Sequence, residues 1–388
     1  MTLITRAPAA LALALAAACG GRPAETAAPA PQAESAAFVT TLGNDTLTVE
    51  RYTRTATTLT GELVARSPRV TQRTYTARLR PDGGVESVEV TTRVLNAPPS
   101  APATVSTVRF AGDTADVRSV RGDSVQTLRV PGTLPLVAGS YAFYEQALMH
   151  TRRADTADAK VRFVAPGNPR PVEMEFRALG GDSVRLSNIA GPQTLRTDAG
   201  GRLLGLSGLQ STQKFEVARR TSVDVGALGA EYARREAAGQ GLGALSPRDT
   251  AEATLSGARI AIDYGRPLKR GRTVLGQVVP LDSVWRTGAN AATILRTDRD
   301  LVIGGTPVPA GSYSLFTLPT REGWKLIVNR QTGQWGTEYR PEQDLARIDL
   351  RMRTGLPVTE QFTIRVDPDG TLRMLWDDWE VSAPVEVR

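Results

Sequence analysis

An antiparallel, mainly β protein is predicted from three features of this 388-residue chain. After residue 37 the dominant hydrophobic period is two, the period with which side chains leave a pleated strand. Gly/Asp pairs punctuate the chain roughly every dozen residues, the spacing of short strands joined by tight turns. A glycine-rich break, Gly239-Gln-Gly-Leu-Gly243, divides it. The expectation is two antiparallel β domains, the first a curved sheet or half-barrel with one helix and the second a β-sandwich.

Residues 1–18 read as an export signal. Arg6 precedes an apolar run, Ala9 to Ala18, that is too short to span a bilayer. Cys19, the one cysteine in the chain, follows Leu15-Ala16-Ala17-Ala18. This arrangement resembles the lipobox of bacterial lipoproteins, although Ala16 stands three residues before the cysteine where many lipoboxes have leucine. The resemblance implies a diacylated Cys19 and a protein held in the cell envelope facing the periplasm, with the outer membrane as the expected site. An ordinary secretory peptide with an incidental cysteine is the alternative. Residues 19–36 have the alanine, proline and glutamate content of a semi-extended tether. With its thiol acylated, the mature chain has no disulfide and depends on core packing.

Residues 37–226 are expected to form the first domain. Tyr75, Ala77 and Leu79 share one strand face, Pro81-Asp82-Gly83-Gly84 turns, and Val88, Val90 and Val94 return. Further turns are marked by Gly112-Asp113, Gly122-Asp123, Gly180-Gly181-Asp182 and Asp198-Ala-Gly-Gly201. Ser140 to Arg153 breaks the pattern, with Tyr141, Tyr144 and Leu148 at helical spacing and Arg152 and Arg153 where cations suit the helix dipole. One helix against many strands has the gross pattern of carriers that cradle an acyl chain; a filled core is the alternative. Residues 227–245 read as a helix with Leu228 and Tyr232 on one stripe, then a glycine-rich linker.

Residues 246–388 are the most distinctive. They contain Ile260-Ala-Ile-Asp263-Tyr264-Gly265-Arg266-Pro267, then Trp285-Arg286-Thr287-Gly288-Ala289-Asn290, then Pro309-Ala-Gly311-Ser-Tyr313-Ser-Leu315-Phe316, and Gln334-Trp335-Gly336. This order and spacing resembles the bacterial family catalogued as domain of unknown function 2911. The resemblance implies an exported β-rich domain and carries over no catalytic residues. The residues read independently as strands: Ala346, Ile348, Leu350 and Met352 alternate with charged neighbours, Phe362 to Val366 and Leu372 to Trp376 form a hairpin, and Trp379 to Val387 closes the domain. Asp367-Pro-Asp-Gly370 is the hairpin turn.

Charge and composition exclude several functions. The formal charge of +7 is almost wholly scattered arginine, with only four lysines and no basic run, so no nucleic-acid partner is expected. Such a field suits anionic lipid or polysaccharide. One histidine and one cysteine make no zinc site, Ser-His-Asp triad or Cys-His pair. No phosphate-cradling glycine motif is present, so neither cofactor nor metal is expected.

The candidate ligand site is the loop Trp285, Arg286, Thr287 and Asn290, with Tyr264, Arg266 and Trp335. Arg286 cannot shed its charge, so it meets either Asp263, as a staple between strands, or the anion of a ligand. All five tryptophans lie after residue 246, as core and rim aromatics or as a stacking platform. Asp377, Asp378 and Glu380, with Asp263, leave a carboxylate route to hydrolysis of envelope glycans. The functional expectation is binding or scaffolding at a membrane entered through Cys19, with a glycan, lipid or envelope protein as partner. The alternatives are that hydrolase and an acyl carrier.

Overall fold

The computed structural model describes residues 33–153 and 158–388, and the signal segment and Cys19 lie outside them. Two antiparallel sheets account for nearly all of the regular structure, so the protein is mainly β.

The first sheet has fifteen strands. Eight come in succession: β1 Glu34–Leu42, β2 Asp45–Arg54, β3 Thr58–Ala65, β4 Thr71–Leu79, β5 Val85–Val94, β6 Thr104–Ala111, β7 Thr114–Arg121 and β8 Ser124–Pro131. Then β9 Leu134–Pro135 leads into α1 Ala142–Arg153. Six more follow: β10 Asp158–Val164, β11 Val172–Gly180, β12 Ser183–Asn188, β13 Gly191–Thr197, β14 Leu203–Ser207 and β15 Glu216–Arg220. Each strand pairs with its neighbours in sequence except β8 and β9, which are the two edges, and the two runs join where β1 meets β15, with Thr41 opposite Glu216 and Ala37 opposite Arg220. The tight Gly/Asp turns explain this order, because each leaves too few residues for anything but a hairpin. β9 and β10 are parallel, as the α1 crossover between them permits.

The helix expected at 140–153 is α1, and it fills the curve of the sheet. Ala142, Phe143, Ala147 and Leu148 are buried. Rings pack through the same space: Tyr75 on Phe143 at 5.0 Å, Phe38 on Tyr52 at 5.8 Å and Tyr144 on Phe163 at 5.9 Å between centroids. Two buried glutamates tie this helix down. Glu145 accepts from Tyr52 Oη (2.5 Å), Arg54 Nη1 (2.7 Å), Leu203 N (2.7 Å) and Arg219 Nη1 (2.5 Å). Glu50 accepts from Tyr75 Oη (2.7 Å), the Ser140 hydroxyl and the amides of Tyr141 (2.7 Å) and Ala142 (3.3 Å) at the head of the helix. Burial pushes the Glu50 carboxyl up to about 6, opposed by those donors.

Two boundaries differ from the sequence expectation. β1 begins at Glu34, so 34–36 belong to the sheet, and Ala36 is buried. The second helix, α2 Val225–Ala237, capped by Asp224, docks on the outer face of the first sheet instead of bridging to the next. Val225 and Tyr232 pack there with Val49, Val64 and Val70, while Glu236 accepts from Val70 N at 2.8 Å. Outward valines on β2 and β3 need a cover, and α2 supplies it.

The second sheet has eleven strands: β16 Arg248–Leu255, β17 Ala258–Gly265, β18 Thr293–Thr297, β19 Leu301–Ile303, β20 Thr306–Val308, β21 Gly311–Pro319, β22 Trp324–Asn329, β23 Asp344–Arg353, β24 Thr359–Val366, β25 Thr371–Asp377 and β26 Trp379–Val387. It curls over one core, because β23 pairs with β22 along most of its length and with β26 at its end. That core holds Trp324 and Trp379 (4.7 Å apart) and Trp376 stacked on Trp285 at 6.1 Å. Four of the five tryptophans are thus interior packing.

Candidate functional site

The loop 285–290 lies flat against the end of β17 because glycines let it. A Cβ on Gly265 would sit 2.2 Å from the Ala289 carbonyl oxygen, and one on Gly288 would sit 2.8 Å from the Gly265 oxygen. Thr287 and Asn290 take left-handed φ of 50° and 63°, so the loop turns sharply at both.

The seven residues singled out in the sequence separate into three groups. Tyr264, Trp285 and Thr287 are buried. Tyr264 Oη accepts from Ile364 N at 2.9 Å, Trp285 packs edge-on to Phe362 at 5.1 Å, and Thr287 Oγ1 donates to Thr317 Oγ1 at 3.3 Å. Arg266 joins strands, donating to Asp249 Oδ2 (2.8 Å), Thr363 Oγ1 (3.0 Å) and the Phe362 carbonyl (3.2 Å). Arg286, Asn290 and Trp335 stand together at the surface: the Asn290 carbonyl accepts from Gly336 N at 2.9 Å, and a Cβ on Gly336 would lie 2.5 Å from Arg286 Cδ. Trp335 is 44 % exposed.

Asp263 is not the partner of Arg286. Its carboxylate takes Arg248 Nε at 2.7 Å, since the β16–β17 register sets Thr250 opposite Asp263 and brings Arg248 alongside. Among the described residues Arg286 has no carboxylate partner, and its hydrogen bond is a long one, Nε to the Gly288 carbonyl at 3.4 Å. Burial lowers its guanidinium below the ordinary arginine value.

The charge of Arg286 acts on Lys214, a residue that the sequence reading did not identify. Lys214, on the loop between β14 and β15 of the first sheet, is held below the ordinary lysine value by burial and then by the charges of Arg272 and Arg286. Burial first, and then Arg270, bring Arg272 down to about 10, against the opposing pull of Glu360 and Asp45. Arg272 spends its donors on the carbonyls of Lys269 and Leu268, and Lys214 Nζ donates to the Leu209 carbonyl at 2.7 Å. The two sheets touch here. Arg270 Nη1 meets Asp45 Oδ2 at 2.5 Å, and Asn44 N donates to the Arg270 carbonyl at 2.9 Å. Gly43, at φ 58°, permits the approach: a Cβ there would fall 2.0 Å from that carbonyl oxygen. The one visible signal was Lys214 itself, one of four lysines in a chain that otherwise uses arginine.

Of the carboxylates considered for hydrolysis, Asp378 is exposed on the turn between β25 and β26 and the others are engaged. Asp377 pairs with Lys269, and Glu380 with Arg373 at 2.8 Å. His150 Nδ1 lies 3.2 Å from the Asp82 carbonyl. Among the described residues, no helix is long and apolar enough to cross a membrane.

No curated protein matches the chain. Solved structures similar to the chain at low identity include two of unknown function. One is a DUF1089 family protein from Pseudomonas aeruginosa, 14% identical with a TM-score of 0.32, covering 42% of this chain and 90% of that one. The other is a β-barrel-like protein of domain of unknown function DUF1849 from Brucella abortus, 13% identical with a TM-score of 0.33, covering 50% of this chain and 98% of that one. Residues 246–385, from ahead of β16 into β26, match the family described as Protein of unknown function (DUF2911), the family that the Trp-Arg-Thr-Gly-Ala-Asn and Ala-Gly-Ser-Tyr segments resemble.

Proposed function

We propose that the chain is a lipid-anchored cell-envelope protein that works by binding or scaffolding at its outer surface. The observation that carries this reading is the filled interior of the first sheet. Phe38, Tyr52, Tyr75, Phe143 and Phe163 are each no more than 3 % exposed, and Ala142, Ala147 and Leu148 of α1 pack in one core with them, in the space a carrier would need for an acyl chain. Three of the four acids considered for a hydrolase, Asp263, Asp377 and Glu380, are paired with neighbouring cations, which also favours binding over chemistry. The anchor rests on Cys19 and its preceding segment, and the partners in view are the membrane, a glycan, a lipid or an envelope protein.

Fractionation of the native host tests the anchor. Wild type is expected in the membrane fraction with an acyl mass increment, and Cys19→Ser in the soluble fraction. A Cys19→Ser protein that stays firmly membrane-bound overturns the lipoprotein reading. Native mass spectrometry of protein taken from its own envelope tests the binding role, with a co-purifying non-covalent partner as the expected outcome. A bound acyl lipid displacing the packed rings would instead favour the carrier.

A further inference from the structure

The outer face of β4 to β8 carries two clefts, of about 550 and 780 Å³, that meet at Thr107 and Arg109. The strand register explains their lining. One cross-strand row runs Arg78–Ser87–Arg109–Asp116–Arg129, and in the row beside it Arg118 lies between Thr107 and Thr127. The alternate residues Ala77, Val88, Val108 and Val117 fill the core, so these two rows face outward. Arg129 Nε lies 3.8 Å from Asp116 Oδ1, whereas Arg78, Arg109 and Arg118 have no carboxylate within ion-pair distance among the described residues. The β6–β8 half thus sets three arginines against one acid, and Glu86 and Glu89 line the β4–β5 half beside Arg78.

We propose that this trough binds an acidic glycan, with its carboxylates on Arg109 and Arg118 and its hydroxyls on the β4–β5 half. The proposal rests on the binding role argued above and gives it a site and a ligand class. Five strands about 4.8 Å apart make a face roughly 19 Å across, which suits a chain of several sugar units better than one small anion. Guanidinium forks match carboxylate oxygens in pairs. Glu86 and Glu89 accept hydrogen bonds from sugar hydroxyls, and they repel the unbroken phosphate line of a nucleic acid. Neither row offers an apolar side chain to enter a bilayer.

The test uses the full chain carrying Cys19→Ser, so that a failure here leaves the anchor, and a partner bound elsewhere, standing. Titration calorimetry with octagalacturonate should show saturable binding that weakens as sodium chloride is raised, and uncharged maltooctaose should show none. Arg109→Gln/Arg118→Gln should weaken binding by about tenfold or more. Its melting temperature should match the parent's, since both side chains are exposed and unpaired. Arg196→Gln/Arg351→Gln, which removes the same charge from exposed positions on β13 and β23, should keep the parent's affinity. Asp116→Asn frees Arg129 and should tighten binding about threefold, which a merely structural role does not predict. No saturable binding by the parent, or an equal loss in the control, overturns the site. Single-stranded DNA bound as tightly as octagalacturonate makes the trough a general polyanion groove and overturns the ligand class. Flotation with phosphatidylglycerol vesicles that needs Arg109 and Arg118, without octagalacturonate binding, makes it a membrane contact and overturns the glycan.

Discussion

The interior of the first sheet and the junction between the sheets both gather charge, and they treat it in opposite ways. Inside, Glu145 is surrounded by donors, and Arg54 and Arg219 share it with Glu34. At the junction, cations crowd one another and spend their donors on carbonyls of their own loops. The buried Glu145 is met by four donors, although Arg54 keeps Nε and Nη2 without a hydrogen-bond partner. At the more accessible junction the cations are met by carbonyl oxygens instead of carboxylates of their own.

The largest expected effect breaks the interior network. Glu145→Leu leaves Arg54 and Arg219 with only Glu34, at 3.7 Å and 2.9 Å, to answer them. Denaturant unfolding should show a loss of about 3 kcal/mol or more, the range for orphaning a buried partner. A change below about 1 kcal/mol, within the reach of an exposed pair, would remove the contrast.

Glu50 sharpens it, since this acid has donors but no cation. Its folded value of about 6 exceeds the ordinary 4.5, so between these the native state holds more protons than the unfolded one. Its contribution is fully present below pH 4.5 and is lost as pH rises through 6. The difference in unfolding free energy between wild type and Glu50→Gln should therefore move by about 2 kcal/mol between pH 4.5 and 7, to the disadvantage of wild type. A pH-independent difference would contradict this account of Glu50.

At the junction, Gly43→Ala meets the Arg270 carbonyl and must displace it. A loss of about 1–3 kcal/mol is expected, with faster proteolytic cleavage near 239–243 and a persistent fragment beginning near Ser246. Digestion of both halves together, with no such fragment, would count against two separable domains. Arg286→Met should have the smallest effect, within about 0.5 kcal/mol in the ligand-free protein, because it orphans no carboxylate. A loss several times larger, read by melting, would show that Arg286 is a structural residue.

The sequence made the hairpins legible because alternation and turn chemistry are local. Tyr75, Ala77 and Leu79 line the core, and the strand of Ile348 and Leu350 is where its period placed it. The helix α1 was equally plain. What escaped depends on which face of a strand meets what. On β2, Glu50, Tyr52 and Arg54 alternate as a solvent stripe would, yet all three are buried, because α1 supplies donors and an acceptor to that face while α2 covers the other. The loop 285–290 was found from its own composition. Its partner Lys214 was not, since nothing near either residue announces that the two sheets meet there. The choice of Arg248 over Arg286 for Asp263 needed the β16–β17 register.

The join between β1 and β15 sets an order of events for a growing chain. Every other neighbour in the first sheet is next in sequence, so hairpins can zip in the order they are made. Residues 37–41 must wait for 216–220 before their free edge is covered. Until then β1 offers an unpaired strand edge to whatever is near, including the same edge of another copy. A chain cut short before β15 would leave that edge bare for good.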